Sequence, residues 1–382
     1  MAADAMTLGV LSHAHKENER RAPLHPAHIG GIAADLRARL YLETGYGERF
    51  GVRDSELSGL VAGLLDREDL FARCDIMLLA KPVPADFGSF RQGQVLWGWP
   101  HCVQGPAITQ SAIDKRLTWI AWEEMHHWKD GQWQGHVFHL NNELAGYGSV
   151  LHALGLQGLT GHYGPQRKAA VLGFGSVGRG AIHGLHALGY QDVTLFTQRP
   201  AEAVRCPVPS VKHWQFEPVG DDSTQVVMSE DRRMPMAEAL GHFDVVVNAT
   251  LQDTDRPMMF LRTAELGALR KGTLLIDVSC DEGMGFEFGR PTGFADPTYT
   301  VDDGRVTYYA VDHSPSHLWQ SATHAIGRAL LPFLADVMAG PTAWDANETL
   351  RRAIEIREGV VQNPRILRFQ GRAPEFPHAR VS

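Results

Sequence analysis

A chain of 382 residues is too long for one ordinary core and fits two domains of roughly 150 residues each. With 44% apolar and 21% charged residues, its composition is that of a soluble globular protein. The 36 Lys+Arg against 44 Asp+Glu give a net charge of −8 with no basic block, which argues against nucleic acid as a partner; no apolar run reaches the roughly 18 residues of a membrane span.

The first stretch, Met1 to Gly9, lacks the basic-then-apolar pattern of a secretory signal. Thr7–Ser12 reads as a first strand and Pro26–Leu40 as an amphipathic helix. Asp75–Ala80, Gln94–Trp99 and Thr118–Trp122 read as buried strands, so strands alternating with helices predict an α/β fold with a parallel sheet covered on both faces. A long apolar helix is expected from about Gly146 to Gly164, then a strand at Ala169–Leu172, and further strands at Val193–Phe196, Asp244–Asn248 and Thr273–Val278. Ala322–Met338 is patterned as a helix, and the last forty residues are loosely patterned. Cys74, Cys102, Cys206 and Cys280 are far apart without a Cys-x-x-Cys pair, which predicts free thiols in a reducing cytoplasm.

Gly173, Gly175 and Gly178 follow the Ala169–Leu172 strand and open a helix, and a second strand comes at once. That βαβ setting is what a dinucleotide-binding glycine loop requires. Gly173 permits the tight turn, Gly175 lets backbone approach a pyrophosphate, and Gly178 permits close helix–strand contact. The helix start at Ser176 and Val177 offers unpaired N–H groups to the phosphates. An NAD-preferring site ends the second strand with an acid that accepts from the ribose 2′-OH. Here the end is Phe196-Thr197-Gln198-Arg199. Arg199 suits a 2′-phosphate, with Thr197 or Gln198 as donors, so NADPH is favoured over NADH; a solvated loop Arg is the alternative. Asn248 and Ser279, at the ends of later strands, are counted with the cofactor residues.

Several motifs together resemble one superfamily. Glu19-Arg20-Arg21-Ala22-Pro23-Leu24-His25-Pro26 resembles the Glu-x-Arg-Val-x-Leu-x-Pro signature of the alanine dehydrogenase, transhydrogenase and lysine-forming saccharopine dehydrogenase superfamily. Leu79-Ala80-Lys81-Pro82 looks like its strand-end lysine, and Gly98-Trp99-Pro100-His101 like its strand-end histidine. Leu275-Ile276-Asp277-Val278-Ser279-Cys280-Asp281 resembles its acidic motif after the glycine loop. Within the superfamily, Glu19–Pro26, Gly98–His101, Ala145–Leu154 and Tyr308–Ser316 are similar to the N5-(carboxyethyl)ornithine synthases, opine-type enzymes. The resemblance runs in order from about residue 7 to 338. It implies two Rossmann-like domains with an active-site cleft between them: residues 1–145 with 315–382 as a discontinuous substrate domain, and 146–314 as the dinucleotide-binding domain.

The resemblance also assigns roles. Arg21 would grip a 2-oxo acid carboxylate, the alternative being a surface Arg paired with Glu19 or Glu17. Lys81 and His101 would supply acid–base chemistry, although Pro82 replaces the Glu that saccharopine enzymes place after the lysine. Asp281 would orient the substrate amine or the ribose, or cap a turn. Glu123 would hold an ammonium group or simply be exposed, with Trp97 and Trp99 as candidate neighbouring walls, and His313 beside Asp312 would contact nicotinamide or substrate or form a plain turn. His126, His127, His136 and His139 straddle the turn signature Lys129-Asp130-Gly131-Gln132 and read as hairpin surface, not as a metal site. The expected activity is the NADPH-dependent reductive condensation of a pyruvate-like 2-oxo acid with the amine of an ornithine- or lysine-like amino acid. A simple amino-acid dehydrogenase using ammonia, and a non-catalytic NAD(P)-binding regulatory protein, are the alternatives. The expected partners are these small molecules, with a homo-oligomer left open.

Overall fold

The computed structural model describes residues 5–204, 207–220, 223–253 and 256–381, so the expectation for Cys206 lies outside the described residues. Cys74 and Cys102 are free thiols. The chain forms two compact units, Met1–His139 with Trp319–Ser382, and Leu140–Leu318.

In the first unit six parallel strands lie in the order Gly63–Leu65, Leu40–Glu43, Leu8–Val10, Ile76–Leu79, Val95–Gly98, Thr118–Ala121. The order reverses between Leu8–Val10 and Ile76–Leu79, the switch point at which doubly wound sheets open a crevice beyond their carboxyl ends. Apolar side chains leave both faces. Ile76, Leu78, Val95 and Trp97 pack into one layer, while Met77, Leu79 and Leu96 pack into the other. Trp97 is therefore core, not a substrate wall.

Three local readings change. Gly30 and Gly31 divide the expected Pro26–Leu40 helix into Pro26–Ile29 and Ala34–Arg37, and Leu40 already begins a strand. The expected Ala322–Met338 helix starts at Trp319 and is interrupted at Leu331–Phe333, where Pro332 has no N–H to donate. The tail is ordered: Ile354–Arg357 adds antiparallel to Thr118–Ala121, Val360–Val361 pairs back on it, and a helix follows at Pro364–Gln370. His126–Lys129 and Gln132–His136 form a hairpin closed by Asp130 (φ 51) and Gly131 (φ 72).

The second unit repeats the same winding. Its parallel strands run Val211–Val219, Asp192–Thr197, Lys168–Leu172, Val245–Asn248, Thr273–Asp277, Val306–Tyr309. Antiparallel strands extend both edges: Ser223–Val227 and Arg233–Pro235 on one side, Thr298–Val301 on the other. The apolar helix spans His139–Leu156, so it begins and ends about two turns earlier than expected. It crosses the Ser176–Ala187 helix at two glycines. A Cβ on Gly146 would stand 1.9 Å from Val177 O, and one on Gly180 1.8 Å from Glu143 O. This backbone contact seats the glycine-loop helix. No described helix is long and apolar enough to cross a membrane.

Candidate active site

The glycine loop occupies the switch point of the second sheet, where Lys168–Leu172 adjoins Val245–Asn248. Gly173 has φ +92, a conformation that L side chains rarely adopt. A Cβ on Gly178 would lie 2.1 Å from Gly173 O, whereas one on Gly175 would meet nothing within 4 Å. One glycine thus closes the turn, one admits the helix, and one leaves space in front of the loop. The helix that starts at Ser176 has no side-chain cap on its first-turn N–H groups. Uncapped donors beside open space fit a dinucleotide pyrophosphate.

At the end of the second strand, Arg199 is exposed and its Nη2 donates to Phe174 O at 3.2 Å, beside the loop. Thr197 differs from expectation. Its hydroxyl is buried, donates to Arg199 O at 2.6 Å and lies 2.8 Å from His213 Nε2, so it shapes the turn that carries Arg199. Gln198 Nε2 points to Met258 Sδ at 3.2 Å.

Behind this surface lies a buried polar network. Asn248 Nδ2 donates to Asp277 Oδ1 at 2.9 Å, and Asn248 Oδ1 accepts from the Thr250 hydroxyl and N–H. Asp277 also accepts from the Tyr308 hydroxyl at 2.5 Å and from Ser279 N–H at 3.1 Å, while Ser279 Oγ donates to Thr250 O. The buried Asn248 side chain and the half-buried Ser279 hydroxyl are therefore engaged within the protein, where they fix the loops after two strands. Burial pushes the Asp277 carboxyl up to about 6, against the pull of its hydrogen bonds. The folded state thus holds a proton that the unfolded chain releases near 3.8. This contribution is largest below that value and is lost as pH rises toward 6, at up to ~1.4 kcal/mol per pH unit. Asp277→Asn is expected to flatten the fall in stability over this window, as read by urea midpoints across pH; an unchanged slope would show that Asp277 does not titrate there.

Cys280, with φ +57, turns the chain between this network and Asp281, which is half-buried at the carboxyl end of the Thr273–Asp277 strand. His313, with φ +48, stacks its ring 4.8 Å from Phe294, and its side chain is 6% exposed.

The first unit presents the basic residues. Val95–Gly98 lies parallel to Ile76–Leu79, and Trp99 N–H extends the ladder to Ala80 O at 3.0 Å. A Cβ on Gly98 would stand 2.0 Å from Leu79 O, so this close approach requires glycine. Lys81 and His101 consequently leave adjacent strands at the same sheet end, Lys81 half-buried and His101 exposed. Arg21 is buried, with its guanidinium 5.0 Å over the Trp99 ring. Its Nε donates to Glu19 Oε1 at 2.8 Å and its Nη2 to Glu19 Oε2, so the pairing with Glu19 is present, on a buried rather than a surface Arg, and Glu19 fixes the guanidinium plane. Neighbouring strand ends are braced by Ser12 on Glu43 and by Arg67 Nη2 on Asp86 at 2.8 Å, charged contacts with no local sequence signature.

Glu123 is not an open ammonium site. Its Oε1 accepts His101 N–H at 2.6 Å and its Oε2 is sealed from solvent. Burial, and next the facing Glu355 charge, push its carboxyl well above the usual range. The hairpin histidines are engaged locally: His136 Nδ1 accepts from Phe138 N–H, and His126 Nδ1 from Trp133 Nε1–H. Among the described residues no group of three or more His, Cys, Asp or Glu is arranged to hold a metal ion. Arg21, Lys81, His101 and Glu123 thus belong to the first unit, and the glycine loop, Arg199, Asp281 and His313 to the second.

Comparison with known proteins places this geometry in context. The family description "Alanine dehydrogenase/PNT, C-terminal domain" matches residues 152–364, and "Alanine dehydrogenase/PNT, N-terminal domain" matches residues 9–138. The chain is 27% identical over 358 residues to the N(5)-(carboxyethyl)ornithine synthase of Clostridium botulinum, covering 87% of this chain and 98% of that protein. It is 24% identical over 370 residues to an alanine dehydrogenase of Mycobacterium tuberculosis, covering 92% and 93%. In fold it is similar to a solved L-alanine dehydrogenase, with a TM-score of 0.75 at 21% identity over 95% of this chain and 99% of the other. A solved transhydrogenase from Sinorhizobium meliloti gives a TM-score of 0.68 at 18% identity, covering 94% and 99%.

Proposed function

Since the chain belongs to the alanine dehydrogenase/PNT family and is an NAD(P)-dependent oxidoreductase of amino-acid metabolism, we propose that it joins a 2-oxo acid to the amine of an amino acid by reductive condensation. The observation that carries the reading is the shared exit of Lys81 and His101 from adjacent strand ends, with Arg21 held on Trp99 at the same edge. The choice of an amino acid as the amine rests on similarity to carboxyethylornithine synthases. The ammonia-using alternative is favoured by similarity to alanine dehydrogenases over a comparable length.

In this reading the oxo acid carboxylate shares Arg21 with Glu19, which sets the orientation of the carbonyl. Lys81 polarises the carbonyl oxygen and protonates it as the amine adds. His101 takes the proton from the ammonium so that the free amine can add to the carbonyl carbon, and then assists loss of water to the imine. The glycine loop from Gly173 to Gly178, with the N–H groups of Ser176 and Val177, would hold the dinucleotide, and Asp281 would orient the ribose or the amine. When bound, the reduced nicotinamide supplies the hydride that reduces the imine carbon. His313 would border that ring.

NADPH is the proposed coenzyme, because Arg199 stands beside the loop where an acid would repel a 2′-phosphate. Arg199→Asp should lower kcat/KM for NADPH by roughly tenfold or more, the scale of losing one charge-assisted pair, and raise the relative use of NADH. An unaltered NADPH/NADH ratio would refute the assignment. The function is tested by NADPH oxidation with pyruvate or 2-oxoglutarate, each combined with ornithine, lysine or ammonia. Oxidation requiring an amino acid is the expected result. Turnover with ammonia alone would establish the dehydrogenase reading, and tight NADPH binding without any turnover would make the protein a sensor.

A further inference from the structure

At the switch point of the first sheet, the loop leaving Leu8–Val10 carries two histidines that stand on buried acids. Leu11 N–H still donates to Leu78 O at 3.1 Å; beyond it Ser12 is buried, while the His13 and His15 side chains are 47% and 48% exposed. His15 Nδ1 lies 2.6 Å from Asp86 Oδ1, and the Asp86 side chain is shut off from solvent. Arg67 Nη2 and Val83 N–H donate to the same carboxylate. Asp86 is thus an acceptor throughout, and His15 Nδ1 carries the proton of that bond. Ser12 Oγ donates its one proton to Glu43 Oε2 at 2.6 Å, so it accepts from His13 Nδ1–H at 2.8 Å. Both rings are held in one tautomer from behind, which in a neutral imidazole puts the lone pair on Nε2. The two ring centroids are 6.3 Å apart, with the planes at 72°.

Two neighbouring Nε2 lone pairs accept hydrogen bonds, which suits a group that only donates: a primary ammonium. The charges behind the rings agree. Glu43 and Asp86 share one guanidinium, that of Arg67, at 3.4 and 2.8 Å, so the cluster favours a further positive charge. Arg49 also acts on His13, but it is exposed to water and its Nη1 is turned to Arg20 O. Burial, against the pull of Glu43, holds the His13 ring below its ordinary value and keeps its lone pair available.

We propose that His13 and His15 bind the second, unreacting ammonium group of the amine substrate, and so select a diamino acid over a monoamino acid. The inference rests on the reaction proposed above. Lys81 leaves the strand between those of His13 and His101. The histidine pair and His101 therefore lie on opposite sides of Lys81, about 10 Å apart by strand spacing alone. With one nitrogen reacting at Lys81 and His101, the other end of an ornithine- or lysine-like chain extends toward the pair. The Glu123 carboxyl does not compete for that group, because one oxygen is on His101 N–H and the other is sealed from solvent.

The test is calorimetric titration of the full-length protein with NADPH at about pH 8, where an ordinary imidazole is neutral and a side-chain ammonium is still charged. The probes are ornithine and two analogues that each lack one of its nitrogens, norvaline and 5-aminopentanoic acid. Ornithine is expected to bind at least roughly tenfold more tightly than the analogue without the held nitrogen, the scale of a charged hydrogen bond. In the double variant His13→Asn with His15→Asn this advantage should shrink to within about twofold. Asn keeps a donor where Nδ1 stood and deletes Nε2, so the melting temperature should stay close to wild type. In turnover, the double variant should raise the KM for ornithine roughly tenfold, with kcat and the KM values for pyruvate and NADPH within about twofold. Each single variant should show part of the same loss, which keeps the test open if the double variant does not fold. Ornithine binding no tighter than either analogue, or an advantage that survives in the folded variants, would overturn the proposal. Selective ornithine binding that the variants lose, in a protein that turns over none of the substrates, would support the site and sink only the reaction. Turnover of ornithine with an unchanged KM in the double variant would sink the site and leave the reaction.

Discussion

Lys81→Met is expected to lower kcat by at least roughly 10²-fold, the scale of general acid–base catalysis, while the melting temperature stays close to wild type. The reason for choosing Met is physical. Lys81 is half-buried at a strand end and is followed by buried Pro82, so truncation to Ala would mix loss of the buried part of its stem with charge loss. Met keeps the stem and removes only the ammonium. The companion change is His101→Asn. Ala at φ +48 would add strain, whereas Asn tolerates that region and lacks a group that titrates near neutrality. A fall in kcat in both variants with little change in NADPH affinity is the predicted pattern. Full activity in either one would remove that residue from the mechanism.

Arg21→Ala is expected to destabilise the first unit by about 3–5 kcal/mol, because it takes the guanidinium away from the buried Glu19 carboxylate. Glu19 is 6% and Arg21 4% exposed, so the pair cannot simply be rehydrated. An affinity measurement on Arg21→Ala alone would therefore confuse folding with binding. The double change Glu19→Gln with Arg21→Gln removes both charges and should recover most of the stability, since two neutral amides can hydrogen-bond to one another. It should nevertheless raise the KM for the oxo acid by roughly tenfold or more, the loss of a charged hydrogen bond. Denaturation midpoints and oxo-acid KM values measured on the same preparations separate the two roles. A stable double variant with an unchanged KM would leave Arg21 as a structural residue only.

The parallel strands were legible because strands covered on both faces read as short continuous apolar runs, as at Ile76–Leu79 and Thr273–Asp277. The glycine loop was legible for a local reason as well: Gly173 takes a positive φ at the turn and Gly178 packs on Gly173 O, both within the one strand–loop–helix segment. Leu40–Glu43 was hidden because its apolar residues continue a helical-looking pattern, and only the Gly30-Gly31 break releases them into the sheet. Glu355 was out of reach for a different reason. Its burial depends on a pairing with Thr118–Ala121 more than 230 residues away and on a bulge that no local pattern announces. Glu123 was visible as a strand-end acid, but whether such an acid faces water or the interior is decided by what the tail lays over it. Thr197 and Asn248 were read as coenzyme contacts from position alone; their hydrogen bonds turn inward.

The most direct measurement is a single incubation with NADPH, pyruvate, ornithine and isotope-labelled ammonium, with the products identified by mass spectrometry. The account predicts a product that contains both carbon skeletons joined through one unlabelled nitrogen, formed in step with NADPH consumption. Labelled alanine as the sole reduced product would contradict it.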